Sequence, residues 1–584
     1  MLKIIPLGGL GEIGLNMMII EYDDVIFIID AGLMFPEEYM LGVDIVIPAM
    51  DYILENRDKV QGIIITHAHE DHIGALPYLL KQIRLPVYGT SFTLRIIRRK
   101  LIEFGLNKYI DLNLVNPGET LSIEPFEIEF IRVSHSTIDG VGLAITTPEG
   151  VIVHSGDFRI SHHVDKMRDT DIASFAKFGK EGVLALLSDS TNVEREGYAI
   201  SEHDVAQNLE KLIDAAKGRV IVALFASNVF RIQQVIDIAV KNQRKVIFNG
   251  RSMEQICDVA MDLGHIQCPE NTIIGIKQIG QYKDSEVAIV TTGSQGEPMS
   301  ALVRMASGMH KQIKIKKGDQ VILSSKHIPG NEKAIASIIN KLYRRGADVV
   351  YSKIAKIHTS GHAHQEELKM MINIIKPRYF IPIHGEYRHL VMHARLAEKQ
   401  GLIKQNVIVA ENGDIITFNS CHGQSGMPAA KDESQFLESE NFHIQNNDSK
   451  NDSKNDRGNS KNRVRTGRIF VDGKGIGDVG RSVLKERREL SEGGLVVVTM
   501  VLDEETGVVL YGPEFISKGF IFDAATGHLI DDAQCVILEI VEEMDPKIEL
   551  KIEFLTKKLQ KALKQYFAFT ISRRPLIVPV IIEV

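Results

Sequence analysis

Residues 66–72 have the sequence THAHEDH, which holds three histidines and one aspartate within six positions of a 584-residue chain with 20 histidines. The apolar run GIII at 62–65 precedes this stretch, and IGALPYLLKQIR at 73–84 follows it. The run is typical of a buried strand. The apolar residues of the second segment recur at helical spacing: Ile73, Leu76, Leu79, Leu80 and Ile83. We therefore expect a strand, a histidine-rich turn and a helix, in that order.

The THAHEDH turn has the chemistry of a metal site. Neutral imidazoles and carboxylates are the ligands that zinc takes at about 2.0–2.2 Å. A turn between a strand and a helix can aim alternate side chains at one point, and this spacing suits two ions. His67 and His69 would serve one ion, and Asp71 and His72 the other. The alternative is a set of core histidines satisfied by hydrogen bonds, which such dense clustering disfavours.

Length and composition limit the class of protein. A single hydrophobic core stops growing at about 250–300 residues, so two or three domains are expected. No apolar stretch approaches the roughly 18–20 residues that cross a bilayer, and glycines and Glu12 break the first apolar run before any cleavage site. The four cysteines lie far apart, which disfavours a disulfide framework and a cysteine-built zinc site: Cys257, Cys268, Cys421 and Cys535. A reducing cytoplasm fits this pattern.

Pattern changes divide the chain into five segments. Residues 1–200 alternate apolar runs with glycine-containing turns, whereas 201–355 alternate strand and helix as in an open parallel sheet. Histidine-rich turns return in 356–420, so the middle segment is an insertion if both flanks share one site. Residues 421–465 are almost devoid of apolar side chains and predict a disordered linker. Residues 466–584 recover strands and amphipathic helices and predict a small α/β domain.

The net charge of −8 means that a polyanionic partner must be met by a local basic surface. Two runs are candidates, the segment from Lys81 to Lys100 and the segment from Lys311 to Lys317. Either run is equally well explained as a solvated surface. The glycine-rich GGLGEIG at 8–14 superficially matches a dinucleotide fingerprint, but no acidic residue follows at the required place, and we reject a nucleotide cofactor.

Taken together, the motifs resemble the metallo-β-lactamase superfamily. Beyond THAHEDH, later turns resemble its remaining motifs: His135 in VSHSTID, Asp157 in VHSGDF and His384 in PIHGEY. Asp189 in LSDSTN and His362 in TSGHAH imply the β-CASP subgroup, whose members cut nucleic acids.

Longer strings, among them TGSQGEPM, VDGKGIGD and SRRPLIVPVIIEV, resemble the bacterial ribonuclease J family over nearly the whole chain except the polar linker. The implied fold class is α/β. It comprises a metallo-β-lactamase αββα sandwich with an inserted β-CASP α/β domain and a small C-terminal α/β domain.

Carried over residue by residue, the resemblance implies two zinc ions. The first would be bound by His67, His69 and His135, the second by Asp71, His72 and His384, and Asp157 would bridge them. Histidine-rich ligation favours zinc over the alternatives, manganese and magnesium. A metal pair about 3.5–4 Å apart suits phosphodiester hydrolysis, because it lowers the pKa of a bridging water and neutralises charge on phosphorus.

Three further residue roles follow from this arrangement. Asp71 is expected to orient or deprotonate the attacking hydroxide. His362, helped by Asp189, would steady the scissile phosphate and protonate the leaving 3′ oxygen.

The resemblance also implies an RNA pocket that includes the 5′ monophosphate, formed by residues of FASN and HTSGH: Ala226, Ser227, Asn228, His358, Thr359, Ser360, Gly361 and His362. Small residues let the backbone approach phosphate oxygens, although a lone string of this kind is more often an ordinary turn. A structural calcium would involve the carbonyls of Leu41 and Val43 and the carboxylate of Asp472.

The resulting expectation is a ribonuclease with 5′ to 3′ exonuclease activity and endonuclease activity, in messenger decay and ribosomal RNA maturation. The resemblance further implies a homodimer or homotetramer, with RNA-decay partners. Three alternatives stay open: a hydrolase of lactams, thioesters or other small molecules, a catalytically silent scaffold in an RNA-decay complex, and a DNA-directed β-CASP nuclease. The small-molecule hydrolase needs neither the inserted domain nor TSGHAH, and the scaffold would be marked by lost ligands, of which none is missing.

Overall fold

A computed structural model gives the structure of the chain and divides it into two compact units. The first comprises residues 1–35 and 46–469, and the second residues 36–45 and 470–584. The residues described are 1–109, 111–161, 169–297, 299–325, 331–419, 443–444, 463–473, 475–520, 528–543 and 552–584. The linker predicted at 421–465 lies outside the described residues apart from 443–444 and 463–465.

The strands and α-helices of the described residues have the following bounds. The strands are β1 (Leu2–Gly8), β2 (Leu10–Gly11), β3 (Met17–Tyr22), β4 (Val25–Ile29), β5 (Ile45–Pro48), β6 (Val60–Ile64), β7 (Val87–Gly89), β8 (Leu112–Leu114), β9 (Thr120–Ile123), β10 (Phe126–Arg132), β11 (Val141–Thr147), β12 (Gly150–His154), β13 (Val183–Asp189), β14 (Val220–Ala223), β15 (Lys245–Asn249), β16 (Val287–Thr291), β17 (Gln320–Leu323), β18 (Asp348–Val350), β19 (Tyr379–Ile383), β20 (Gly385–Glu386), β21 (Ile416–Phe418), β22 (His443–Ile444), β23 (Arg468–Asp472), β24 (Gly475–Ile476), β25 (Leu495–Leu502), β26 (Val509–Lys518) and β27 (Leu576–Glu583). The α-helices are α1 (Asp51–Glu55), α2 (Glu70–Ile73), α3 (Leu76–Leu80), α4 (Ser91–Glu103), α5 (Ile172–Glu181), α6 (Glu202–Ala215), α7 (Val229–Lys241), α8 (Arg251–Asp262), α9 (Ala301–Ser307), α10 (Glu332–Arg344), α11 (Gln365–Ile375), α12 (Tyr387–Lys399), α13 (Arg481–Gly493), α14 (Leu529–Glu542) and α15 (Ile552–Ile571).

Two stacked sheets form the core of the first unit. One has the strand order β22-β21-β1-β3-β4-β6-β7-β8, and the other has the order β19-β13-β12-β11-β10-β9. Alternate residues of facing strands interdigitate between them, as where the rings of Phe27 and Phe126 meet edge to face at 4.9 Å. The outer face of the second sheet buries Val153 against helices that include Phe175 and Met371. This layering is the αββα arrangement expected from the sequence.

The chain leaves the second sheet after β13 and returns to it at β19, which pairs with β13 in parallel register. In between it forms a five-stranded parallel sheet with the order β15-β16-β14-β17-β18. Helices α6, α7 and α8 cover one face, and α9 and α10 cover the other. Burial of both faces explains the continuous apolar runs of these strands, such as VIVA at 220–223. This sheet is therefore an insertion between two neighbouring strands.

The helix expected after the histidine-rich turn is shorter than its apolar spacing suggested. It is divided into α2 and α3 and ends at Leu80. Gly74 separates the two pieces, and a Cβ there would lie 2.2 Å from Cγ of Leu33. Pro77 lies in the first turn of α3, where its missing N–H is tolerated. The same residue has no N–H to bond the carbonyl of Ile73, so the helical hydrogen bonds are interrupted between α2 and α3.

The second unit contains a three-stranded sheet with the order β26-β25-β27. Alternate residues of β25, such as Val496 and Val498, face a core that helices α14 and α15 complete. The other residues of β25 face away from those helices. The residues paired with them in β26 and β27 include the exposed apolar or aromatic side chains Tyr511, Ile516, Val578, Val580 and Ile582, together with the exposed charged Glu514 and Lys518. One face of this small sheet is therefore open and mainly apolar; we call it the open sheet face.

Candidate metal centre

The seven predicted ligands come together at the ends of strands of the two stacked sheets. The THAHEDH turn follows β6, and His384 directly follows β19. Asp157 lies three residues beyond β12, and His135 lies three residues beyond β10. The loops that follow strand ends are therefore the segments that carry the chemistry.

A first group consists of three histidines whose ring nitrogens nearly touch. Nε2 of His67 lies 3.0 Å from Nδ1 of His69, which lies 3.1 Å from Nε2 of His135. The remaining nitrogens are anchored: Nδ1 of His135 donates to the carbonyl of Gly361 at 2.9 Å, and Nδ1 of His67 lies 3.1 Å from Oγ1 of Thr66. Burial lowers the pKa of His67 and His135 well below the usual value, and that of His69 to about 4. All three imidazoles are thus neutral, the form that binds metal.

A second group contains Asp71, His72 and His384. Oδ2 of Asp71 lies 3.4 Å from Nε2 of His384 and 3.7 Å from Nε2 of His72. Nδ1 of His72 is bound by Asp30 at 2.7 Å, and Nδ1 of His384 by Oγ1 of Thr191 at 2.6 Å. Nε2 of His384 is fully buried, and its nearest acceptors are the carboxylate oxygens of Asp71 and Asp157 at 3.4 and 3.5 Å, the other donors that a cation bound here would contact. His384 also has a φ of 53°, so the left-handed backbone aims its ring into the site.

Asp157 lies between the two groups. Its Oδ2 is 3.3 Å from Nε2 of His72, 3.5 Å from His384, 3.7 Å from His67 and 3.8 Å from His135. Burial alone would raise the pKa of this carboxyl, but the adjacent His384 and His72 lower it well below its usual range. An ionised carboxylate with four imidazoles around one oxygen is placed to contact both groups.

The donor set fits two divalent cations. Each of four ligand sets brings its ligating atoms within 4.8 Å of one another: His67 with His69 and His135, Asp71 with His72 and His384, His67 with His72 and Asp157, and Asp157 with Asp189, His362 and His384. The anchored second nitrogens fix the ring orientations and tautomers, as is usual for metal-binding histidines. The neutral imidazoles of His67, His69 and His135 and the nearby carboxylates are the donor types that divalent cations bind. Burial would lower the pKa of His384, but Asp157 and Asp71 raise it to about 9.

His362 and Asp189 form a pair at the edge of this centre. Nδ1 of His362 lies 2.8 Å from Oδ2 of Asp189 and 3.9 Å from Oδ2 of Asp157. Burial would raise the pKa of Asp189, but His362 lowers it. The His362 side chain keeps 19% of its surface exposed, whereas Asp189 is buried. The ring can therefore reach a molecule in solution while the carboxylate fixes its orientation.

The predicted FASN segment lies beside the first histidine group. Oγ of Ser227 is 3.1 Å from Nε2 of His69, and Ala226 is buried. Asn228 caps α7, because its Oδ1 accepts from N–H of Arg231 at 3.1 Å.

The predicted 358–362 segment also contacts the first histidine group, at His135. Thr359 donates to the carbonyl of Ile200, and Oγ of Ser360 accepts from Nδ2 of Asn192 at 2.7 Å. Gly361 leaves no room for a side chain, because a Cβ would lie 2.6 Å from Cε1 of His135. His358 is half-buried and neighbours Glu202. Of the predicted substrate positions, Ser227, Gly361 and His362 thus lie against residues of the metal centre.

Several supporting residues were missed by sequence reasoning. Asp30 is buried and accepts from N–H and Oγ1 of Thr66, both at 2.8 Å, in addition to binding His72. Thr191 and Asn192 anchor His384 and the 358–362 loop. The one available signal for Asp30 was its position at the end of VIFIID, where an acid follows a fully apolar strand.

The residues predicted for calcium do not fit that ion. Arg487 donates from Nη1 to the carbonyl of Leu41 at 2.9 Å and from Nη2 to Oδ2 of Asp472 at 2.6 Å. The guanidinium therefore already supplies the positive charge to two of the three predicted ligands. Val43, which supplies the third predicted ligand, is buried. We do not carry calcium into the proposed function.

The two basic runs are partly neutralised. Lys100 pairs with Glu70, and Lys316 with Asp284 at 2.8 Å. Within the described part of the chain, no helix combines the length and the apolar character needed to span a bilayer.

Comparison with protein-family models gave four matches along the chain. Residues 10–218 match the metallo-beta-lactamase superfamily, and residues 217–342 match the ribonuclease J beta-CASP domain. Residues 347–410 match the Zn-dependent metallo-hydrolase RNA specificity domain, and residues 482–584 match the ribonuclease J C-terminal domain.

Curated relatives match over the full length. The chain is 38% identical over 582 residues to Ribonuclease J2 of Bacillus subtilis, covering 100% of this chain and 98% of the relative. It is 39% identical to Ribonuclease J 1 of Streptococcus pyogenes, covering 99% and 97%, and 38% identical to Ribonuclease J 2 of Staphylococcus aureus, covering 100% and 98%. A crystal structure of a protein of unknown function from Enterococcus faecalis matches with a TM-score of 0.50 and 17% identity, covering 71% of this chain and 99% of that one. That likeness concerns the fold alone.

Proposed function

This chain belongs to the ribonuclease J family, and from that premise we propose that it hydrolyses RNA phosphodiester bonds with two zinc ions as its working metals. The family and the fold class expected from the sequence are confirmed. The coarse activity, a metal-dependent ribonuclease, follows from the same matches. The observation that carries the finer proposal is the close approach of the seven His and Asp side chains beside the 358–362 loop.

We assign the first zinc to His67, His69 and His135. The second is assigned to Asp71, His72 and His384, with Asp157 shared. Five imidazoles in the donor set favour zinc over manganese or magnesium, which prefer oxygen ligands. When bound, such a pair would activate a water and neutralise charge that develops on the phosphate.

The chain's own groups would complete the reaction. Asp71 keeps about a third of its side chain exposed, so one carboxylate oxygen can orient the attacking water and accept its proton. Asp189 holds Nδ1 of His362, which leaves Nε2 of His362 to bind the scissile phosphate and to give a proton to the leaving 3′ oxygen.

We propose 5′ to 3′ exonuclease activity, together with endonuclease activity, on RNA with a 5′ monophosphate. Ser227, Asn228 and the 358–362 loop offer hydroxyl, amide and backbone donors near the first histidine group. These are the groups that hold phosphate oxygens. We propose that the protein acts in messenger decay and ribosomal RNA maturation, in a reducing cytoplasm and together with RNA-decay partners. The unpaired Cys257, Cys268 and Cys535 are consistent with it.

The test compares RNA with a 5′ monophosphate, RNA with a 5′ triphosphate and matched DNA, each with metal-replete and chelator-treated protein. Fast, chelator-sensitive release of mononucleotides from the monophosphate RNA alone is expected. Equal cleavage of DNA would favour the DNA-directed alternative. Full metal occupancy without any cleavage would favour the scaffold, and turnover of lactams or thioesters would favour a small-molecule hydrolase.

We also propose that the chain forms a homodimer or homotetramer through the open sheet face. If this face packs against the same face of a second chain, side chains such as Ile516 and Val580 are covered, which are otherwise exposed to water. Analytical ultracentrifugation of Ile516→Glu, Val580→Lys double variants should show a smaller species. Phe554→Lys, which alters an exposed apolar side chain on α15, is the matched control. An unchanged species in the double variant would contradict this assignment.

A further inference from the structure

Three charged side chains form a buried network where the chain passes between the six-stranded sheet of the core and the inserted five-stranded sheet. Nη2 of Arg159 lies 3.0 Å from Oε1 of Glu202, and Nη2 of Arg231 binds the other oxygen of the same carboxylate. Arg231 is completely buried, and the side chains of Arg159 and Glu202 are 10% and 14% exposed. Two arginines and one glutamate thus share an almost water-free space.

The network lies where the chain passes between the two sheets. Glu202 is the first residue of α6, on the path from β13 out to the five-stranded sheet. Ile357 lies on the returning path, and its carbonyl accepts from Nη1 of Arg231 at 2.9 Å and from Oγ of Ser324 at 2.6 Å. The guanidinium of Arg231 therefore binds both the outgoing connection, at Glu202, and the returning connection, at Ile357.

Each end of the network leads to a segment of the candidate site. Arg231 is in the first turn of α7, which Asn228 caps, and Ile357 immediately precedes the 358–362 loop. At the other end, N–H of Arg159 donates to the carbonyl of Ser134 at 2.8 Å, next to His135. The network thus connects the FASN segment, the 358–362 loop and a metal-ligand segment without itself contacting the metal centre.

Stability does not account for such an arrangement. Removing charges from water costs several kcal/mol per ion, and well-packed apolar residues are often at least as stabilising as a buried ion pair. Nε of Arg231 also lacks a hydrogen-bond partner, which adds to the cost. What an arginine provides and an apolar side chain cannot is a fixed fork that spans a carboxylate and a carbonyl at defined distances.

We propose that Arg231 is a positioning residue for RNA. By spanning Glu202 and the carbonyl of Ile357, it sets the separation between the FASN segment and the 358–362 loop, so that RNA affinity depends on a side chain that RNA never touches. The inference rests on the proposed function of those two segments.

The chain offers a matched control. Arg219 and Asp319 form another buried pair, with Nε to Oδ1 at 2.9 Å, and both are at most 4% exposed. They directly precede β14 and β17, at the amino ends of the parallel strands, whereas the FASN segment follows the carboxyl end of β14. Loss of this pair should affect stability without affecting the site.

The experiment measures kcat, KM, zinc content and the thermal unfolding midpoint for Arg231→Met, Arg231→Lys and Arg219→Met. Arg231→Met should raise KM for 5′-monophosphorylated RNA about 10-fold or more, because small displacements of binding groups are costly. Its kcat should stay within about threefold, and its zinc content should match the wild type. Arg219→Met should lower the midpoint at least as much and leave KM within about twofold.

Arg231→Lys separates positioning from stability. A lysine keeps the ion pair with Glu202 but cannot also span to the carbonyl of Ile357, so the midpoint should recover while KM stays raised. If KM instead recovers with the midpoint, or if Arg219→Met raises KM equally, the role is structural and the proposal is overturned. A wild-type protein that does not cleave RNA would refute the proposed function, which is a different result from an unchanged KM in an active variant.

Discussion

Asp30 is not one of the assigned metal ligands, but replacing it with asparagine should weaken metal binding through His72. The Asp30 carboxylate accepts from N–H and Oγ1 of Thr66 at 2.8 Å and from Nδ1 of His72 at 2.7 Å. An asparagine of the same size carries one acceptor oxygen and one NH2 group. If the NH2 faces His72, Nδ1 must accept, and the proton moves to Nε2, the nitrogen assigned to the metal. If the NH2 group instead faces Thr66, it points at the N–H of Thr66, and two hydrogen-bond donors then meet in a buried space without an acceptor.

The expected magnitude follows from these contacts. Changes at residues that orient a metal-binding histidine typically cost 10–100-fold in metal affinity, or roughly 1.4–2.7 kcal/mol. Losing one charge-assisted hydrogen bond should also lower the free energy of unfolding by about 1.5–3 kcal/mol. Zinc affinity by chelator competition and unfolding by denaturant would measure the two effects separately.

Asp319→Asn is the control for this experiment. Asp319 is as buried as Asp30, and it accepts from N–H of Lys316 at 2.8 Å and from Nε of Arg219 at 2.9 Å, at the other end of the inserted sheet. It should lose comparable stability and keep its zinc. The reasoning is refuted if Asp30→Asn binds zinc as tightly as the wild type, or if Asp319→Asn loses zinc equally.

Three further outcomes are expected. His362→Ala should lower kcat about 100-fold or more while zinc content by mass spectrometry is kept, and parallel loss of both would contradict its assignment to phosphate rather than metal. Gly32→Ala should lower zinc content and solubility, because a Cβ would lie 1.6 Å from the carbonyl of Asp71, whereas Gly280→Ala, with open space around it, should do neither. Added calcium should leave the thermal midpoint of the wild type unchanged, because Arg487 already binds the oxygens in question; a calcium-dependent rise would show that the ion displaces it.

The four ligands in the THAHEDH turn could be predicted from the sequence because they are close together in it. The ligands of the THAHEDH turn lie within six positions, so a strand and a turn suffice to bring them together. His135 and His384 were identified from the resemblance of their motifs to a family, and their spacing alone would not have brought them to this turn. The helix after the turn was predicted too long, because apolar spacing does not register the hydrogen bond that is lost at Pro77.

The supporting residues could not be predicted, because each acts over a long separation in sequence. Asp30 meets His72 across 42 residues, and Arg231 meets Ile357 across 126. Nothing in the neighbouring sequence distinguishes Asp30 from any acid at the end of a strand. Arg231 lies in an amphipathic helix, where an arginine is ordinarily read as solvent-exposed. Only the tertiary structure shows it buried.

One hydrogen bond links the two halves of the proposed mechanism. Nδ1 of His135 donates to the carbonyl of Gly361, in the loop assigned to RNA, while Nε2 of the same ring lies among the nitrogens assigned to the first metal. The absence of a side chain at Gly361 is what allows the ring and this end of the loop to approach so closely. Because Arg231 holds the residue before this loop, its effect on RNA must pass through the same backbone. The loop is thus held at both ends, by His135 at Gly361 and by Arg231 at Ile357, and the unchanged zinc content expected of Arg231→Met tests whether the two ends move independently.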